Sequence, residues 1–212
     1  MTSYGLPVDM ADTVNYNNSC YSIGGHMSRK PATTREDMIE GAFQLIRKEG
    51  MTALTARRLA EELNCSTQPI MYQFPNLNDL RELVYEKADR FHTEYILKDE
   101  DFLEIGLRYI RFASEEGNLF RFLFQSGRFD GFNISQLTRE GADDGVIAAA
   151  ARDLEMPQKD ALDFFEILFS MVHGYGSLVA NNALEYDEEA LRRNLTAAAE
   201  GLVSSYTRTE HE

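Results

Sequence analysis

Positive charge is scarce in this chain. Its 212 residues carry 21 Lys and Arg against 35 Asp and Glu, a formal net charge of -14, which excludes a generally basic nucleic-acid coat. Cysteine is nearly absent. Cys20 and Cys65 lie far apart, without C-x-x-C spacing or the density of a secreted disulfide scaffold, so a reducing cytoplasm is the expected setting. The longest unbroken apolar run spans residues 146–151, far short of the ~20 residues a membrane helix needs. The first residues hold no basic stretch followed by an apolar one, so neither a signal peptide nor a membrane partner is expected. Catalytic signatures are missing too. There is no HExxH, G-x-S-x-G, P-loop or dinucleotide fingerprint, and His26, His92, His173 and His211 show no metal-ligand spacing. The expectation is a protein that is not an enzyme, with no catalytic residue, no metal and no cofactor.

What is present is material for a core. The chain is 43% hydrophobic and 11% aromatic, enough for one or two packed domains. Its charge is unevenly placed. Residues 1–26 contain two acids and no Lys or Arg, residues 27–92 contain ten basic and ten acidic residues, and the remainder is left with -12. A neutral N-terminal unit joined to an acidic body predicts two roles, and only the first tolerates an anionic polymer nearby.

Residues 1–26, rich in Asn, Ser, Tyr and Gly, read as a flexible extension outside the fold. Thr33-Thr34 offers an N-cap to a first helix with Ile39, Ala42, Phe43 and Ile46 on one face, ending at Gly50. Thr55 caps a second helix, Asn64-Cys65 breaks it, and Ser66 caps a third in which Pro69 still lies in the first turn. Two short helices about a tight turn make a helix-turn-helix. Asn76 then starts a long helix to about Leu97. Further helices follow over residues 102–112, 118–125 and 135–154, then one introduced by Pro157, and a last one capped by Asp187 with Leu191, Leu195, Ala198, Leu202 and Tyr206 in a stripe. The fold class is all-α, about nine helices: a helix-turn-helix domain over residues 32–92 and a helical-bundle effector and dimerisation domain over 93–208.

The helix-turn-helix points to DNA. Residues 63–78 contain no charge yet carry Ser66, Thr67, Gln68, Tyr72 and Gln73, groups suited to base edges: Gln pairs bidentately with adenine, and a Thr methyl meets that of thymine. Arg57, Arg58, Arg29, Lys30 and Arg35 lie just outside that stretch, where phosphate contacts would supply affinity and register. A polar connector between core helices, with solvated arginines, is the competing reading of the same residues.

Four runs carry a resemblance: EGMTALT, ARRLAEELNCS, TQPIMYQF and NLNDLREL. Over residues 33–92 the chain resembles the N-terminal domain of TetR/AcrR-type transcriptional regulators, and S-T-Q-P-I resembles one subset of them. The resemblance implies a homodimer whose third helices enter successive major grooves of a palindromic double-stranded DNA operator. It implies cap and phosphate roles for Thr55 and Ser66, base or flanking-backbone contacts for Gln68, Pro69 and Tyr72, and a minor-groove arm from Arg29 and Lys30. Asn64 stands where Gly is usual, and Leu77 where many members have a phosphate-contacting Lys.

In the acidic body, Val172-His173-Gly174 is similar to the Trp-His-Gly signature of one C-terminal domain type in this family, with Val in place of Trp. Gly174 and Gly176 each cost a helix about 1 kcal/mol relative to Ala. Close approach of a partner along Gly174, Ser177 and Asn181 is one offset, and space for a ligand is the other. The same helix is apolar almost all round, which predicts a four-helix dimer interface drawing on Phe165, Phe169, Leu195 and Leu202. Phe102, Tyr109, Phe112, Phe120, Phe122, Phe124, Phe129, His173 and Tyr175 are candidates for a plain core or for the wall of a pocket holding a small, largely apolar effector. The expected function is a ligand-responsive repressor. The alternative is a helical small-molecule or partner-binding module without DNA binding.

Overall fold

The computed structural model describes residues 33–98, 101–132, 136, 144–153 and 156–209. These residues contain nine α-helices, one 3-10 turn and no strand. The extension over residues 1–26, with Arg29 and Lys30, lies outside the described residues, as does most of the stretch expected to be helical before Asp144. The described residues, all from Thr33 onward, belong to one compact unit.

Local chemistry sets the first helices. α1 (Arg35–Glu49) begins in a reciprocal capping box: Thr34 Oγ1 accepts from the Asp37 amide at 3.1 Å, and Asp37 Oδ2 accepts from the Thr34 amide at 2.9 Å. It ends at Gly50, whose φ of 87° no other residue adopts readily. Its buried face is Met38, Ala42, Leu45 and Ile46 with Phe43, while Ile39 is only partly buried. After a 3-10 turn (Met51–Ala53), Thr55 caps α2 (Ala56–Glu62) by accepting from the Arg58 amide at 3.2 Å.

The turn before α3 (Thr67–Gln73) is a Schellman motif. The Cys65 amide donates to the Ala60 carbonyl at 3.0 Å and the Asn64 amide to the Glu61 carbonyl at 3.2 Å, with Asn64 at φ 51°. Asn tolerates that left-handed conformation better than most side chains, so its presence in a glycine place leaves the turn intact.

α4 (Leu77–Ile96) is capped by Asn76 and buries Leu80, Val84, Ala88 and His92, one residue per turn. α5 (Phe102–Glu115) starts at the Asp101 cap, followed by α6 (Gly117–Phe124), α7 (Asp144–Asp153), α8 (Gln158–Ala180) and α9 (Glu188–Thr209). Helices α1 to α3 form a head resting on α4 and α6, and α5 runs through the body between α4, α6, α8 and α9. Core residues extend without a break from Met38 in the head to Leu195 in the body. Among the described residues no helix is long and apolar enough to cross a membrane.

Candidate DNA-reading surface and ligand cavity

Helix α3 buries only Ile70. Thr67, Gln68 and Gln73 are exposed, Pro69 is half-buried, and Tyr72 keeps 82% of its surface in solvent. An aromatic ring standing that far out of a packed head is the informative kind of exposure, because it forgoes burial that the fold could have used. Ser66 occupies the N-cap position but makes no capping bond, so its exposed hydroxyl is uncommitted within the head, whereas that of Thr55 is spent on the Arg58 amide.

The cations around α3 are differently placed. Arg57 is 87% exposed and pairs loosely with Glu61 at 3.2 Å. Arg58 is held by Glu61 at 2.6 Å and by Glu49, so a phosphate would compete with two carboxylates for it. Arg35 lies over the Phe74 ring, 5.2 Å from its centroid. Leu77 packs against the core at the start of α4.

A cavity of about 290 Å³ lies in the body. Of the aromatic and histidine candidates, Phe102, Tyr109, Phe124, Phe129 and His173 line it. Phe112, Phe120 and Phe122 belong to the core behind the wall, with Phe120 stacked on His173 at 5.7 Å, and Tyr175 turns elsewhere, accepting from Asn194 Nδ2 at 3.1 Å. Composition alone gave no hint of α4's share: Tyr85, Asp89, His92, Thr93 and Ile96 form one face of that helix along the cavity. The signal was present in the four-residue step from Leu80 to His92, which carries a histidine on the core-facing stripe.

The polar groups of the cavity fall into two sets. Asp89 and Arg128 are solvent-exposed, and Arg128 pairs with Glu82 at 2.6 Å while lying 4.0 Å from the Tyr85 centroid. Partial desolvation raises the Asp89 carboxyl even though the residue reaches solvent, against the pull of Arg128 and Arg90, and burial pushes the Tyr85 phenol up to about 12. Deeper in, Tyr109 Oη lies 2.9 Å from His173 Nδ1. Burial drives His92 down to about 3 and lowers His173 as well, so both imidazoles are held toward their neutral forms.

The residues expected at a dimer interface divide. Leu195 is 0% exposed and Phe165 is buried, both inside the protomer on the cavity wall, and Phe169 lines the cavity as well. Ser177 and Asn181 hydrogen-bond Gln125 of the same chain at 2.8 and 3.2 Å, and Leu202 is half-buried. Phe165 and Phe169 lie on the face that α8 turns into its own bundle. Its other face leaves Ile167 50% and Leu178 48% exposed, with Gly174 between them meeting nothing within 4 Å. Gly176, by contrast, is needed inside: a Cβ there would lie 3.1 Å from two ring carbons of Phe120. The two helix glycines therefore have different reasons.

No family model and no curated protein matches the sequence. The structure is similar to the crystal structure of a TetR-family transcriptional regulator from Streptomyces coelicolor, at 16% sequence identity and a TM-score of 0.64, covering 81% of this chain and 82% of that one. Together with nine helices and the absence of strands among the described residues, this likeness shows that the chain has the all-α fold of a TetR-family regulator.

Proposed function

We propose that this chain is a sequence-specific transcriptional regulator: a homodimeric repressor that binds a palindromic double-stranded DNA operator through α2 and α3 and is released by a small, largely apolar effector. The observation that carries this reading is α3 itself, a helix free of charge that holds Gln68, Tyr72 and Gln73 in solvent, with Arg57 exposed on the preceding helix. Such a surface suits base edges flanked by phosphate contacts. The likeness to a transcriptional regulator supports it at the level of the fold.

The same helices supply a route for release. Helix α4 packs on α1, with Lys87 paired to Glu40 at 2.9 Å and Phe91 edge-on to Phe43, and its face of Tyr85, Asp89, His92, Thr93 and Ile96 lines the cavity. A ligand that prefers one setting of α4 shifts the population of dimers whose heads are correctly spaced, by its differential affinity for the two settings. For the dimer, the outward face of α8 keeps Gly174 and adds Ile167 and Leu178, joined by Gly201 of α9, where a Cβ would also meet nothing within 4 Å.

A module without DNA binding is favoured by one observation, the capture of Arg58 by Glu49 and Glu61. Gel shifts over a salt series on the DNA flanking the gene separate the two readings. A regulator loses affinity steeply with salt, and Gln68→Ala weakens its preferred site; a complex unaffected by Gln68→Ala and Arg57→Ala contradicts the proposed surface.

A further inference from the structure

The solvent face of α3 carries no charge and two large apolar side chains. Met71 keeps 43% of its surface exposed and Tyr72 82%. Successive residues of a helix lie about 100° apart, so Thr67, Met71, Gln68 and Tyr72 follow one another around roughly 140° of its surface. Met71 thus stands between Thr67 and Gln68, while Ile70 and the cap residue Phe74 are buried in the core. Scattered single hydrophobes are ordinary on a protein surface, but two adjacent ones on the face proposed to meet DNA call for a complementary group there.

The chemistry of the base edges identifies that group. In the major groove, guanine is read by Arg or Lys at O6 and N7, and cytosine by Asp or Glu at N4. None of these four residue types occurs from Leu63 to Asn78. Gln68 suits the N6 and N7 of adenine, and the C5-methyl of thymine is the one apolar group that the four bases present in this groove. That methyl is therefore the feature that Met71 and Tyr72 match. Met is unbranched and polarisable, so it meets a methyl group without needing a shaped pocket. A guanine or cytosine in the same place would set polar groups against the Met71 side chain with no partner to replace water.

We propose that Met71, together with Tyr72, reads thymine methyl groups, and that the base pairs beneath α3 in each operator half-site are A·T, with Gln68 on an adenine. The proposal rests on the reading of α3 as the DNA-facing helix. Methyl contact and one amide pair then supply the sequence preference, and the exposed Arg57 of α2 is left to the phosphates. The two contributions differ in their response to salt. A methyl contact is uncharged, so its loss lowers affinity by the same factor at every salt concentration and leaves the slope of log K against log salt unchanged.

The test begins with two pools of random duplexes, one made with thymine and one with uracil throughout, each selected on the full chain. Binding to the recovered thymine duplex is then compared, by fluorescence anisotropy over a salt series, with the same duplex carrying uracil or 5-bromouracil in place of thymine. Half-sites containing A·T pairs are expected from the thymine pool. The uracil duplex should bind about fourfold more weakly for each contacted methyl lost, at an unchanged salt slope, and 5-bromouracil, whose halogen fills the place of the methyl, should restore binding. Met71→Ala should at least halve the ratio of thymine to uracil binding. Because Met71 is exposed, its variant should keep the parent's urea midpoint, which shows that it is folded. Equal binding of the thymine and uracil duplexes, half-sites lacking thymine, or a thymine preference undiminished in Met71→Ala overturns the proposal. Recovery of no duplex from either pool overturns the regulator reading and this inference with it, whereas a selected inverted repeat indifferent to uracil overturns this inference alone.

Discussion

The side-chain amide of Asn118 donates from Nδ2 to the main-chain carbonyls of Arg47 and Lys48, both at 3.0 Å. Carbonyls in the last turn of a helix have no intrahelical donor, so a residue of α6 caps α1 from 71 positions away. Asn118 Oδ1 in turn accepts from Arg121 Nη2 at 2.7 Å, and Arg121 also donates to the Ala180 carbonyl at the end of α8. Beside them, Glu116 and Arg47 form an ion pair. The head, α6 and the end of α8 are thereby tied at one point.

Asn118→Ala removes two donors from carbonyls that are then left without them, and it should lower unfolding stability by about 1–2 kcal/mol. Asn118→Asp, which sets an acceptor against two acceptors, should cost more. Urea denaturation midpoints check both, and an unchanged midpoint for each would show that the tie carries no stability.

Glu61 holds Arg57 at 3.2 Å and Arg58 at 2.6 Å. If these arginines meet phosphates, Glu61→Gln frees Arg57, leaves Arg58 to Glu49 alone and removes a repelling charge. Affinity for unrelated duplex DNA should rise, and the dependence of log K on log salt should steepen by about one phosphate contact. Fluorescence anisotropy over a salt series measures both, and weaker binding by Glu61→Gln would place the arginines elsewhere.

Burial lowers His92 from 6.5 to about 3, so below pH 6.5 the unfolded chain binds a proton that the folded chain refuses. The stability associated with neutral His92 is complete above about pH 6.5 and is lost as pH falls toward 3, at up to about 1.4 kcal/mol per pH unit. His92→Phe abolishes this dependence. The stability of the variant relative to the parent should therefore grow as pH falls from neutrality to about 5, as read by denaturation at several pH values. A constant gap would mean that His92 protonates in the folded state as easily as in the unfolded one.

Gly176→Ala gains about 1 kcal/mol of helix propensity but drives a methyl to 3.1 Å from Phe120, so the expected net effect on thermal stability is a loss. Gly174→Ala meets nothing within 4 Å and should keep the propensity gain within the protomer. If α8 pairs with its copy at Gly174, the same substitution weakens the dimer in sedimentation equilibrium. A monomer–dimer constant unmoved by Gly174→Ala, Ile167→Glu and Leu178→Glu would remove this face from the interface.

The head was legible in the sequence because its determinants are local. Thr34 with Asp37, Thr55, Asn64 and Asn76 each act within a few residues, and all occupy the expected cap or turn positions. The cavity was only half legible. Phe120 and Phe124 are the same residue type one turn apart in α6, and only packing against the other helices decides which of them faces open space. A single histidine shows no ligand spacing, so the place of His92 follows only from the buried stripe it continues in α4. The division of Phe165 and Leu195 from Ile167 and Leu178 likewise depends on which side of α8 its own bundle takes.

The central claim, that α3 reads a DNA sequence, is tested most directly by selecting duplexes from a random pool with the full chain and sequencing the bound fraction, in parallel with Gln68→Ala. The account predicts enrichment of an inverted repeat whose half-sites lie one helical turn or more apart, with relaxed preference at one position of each half-site in the variant. A bound pool no different from the input, or an enriched motif identical for the variant, would contradict it.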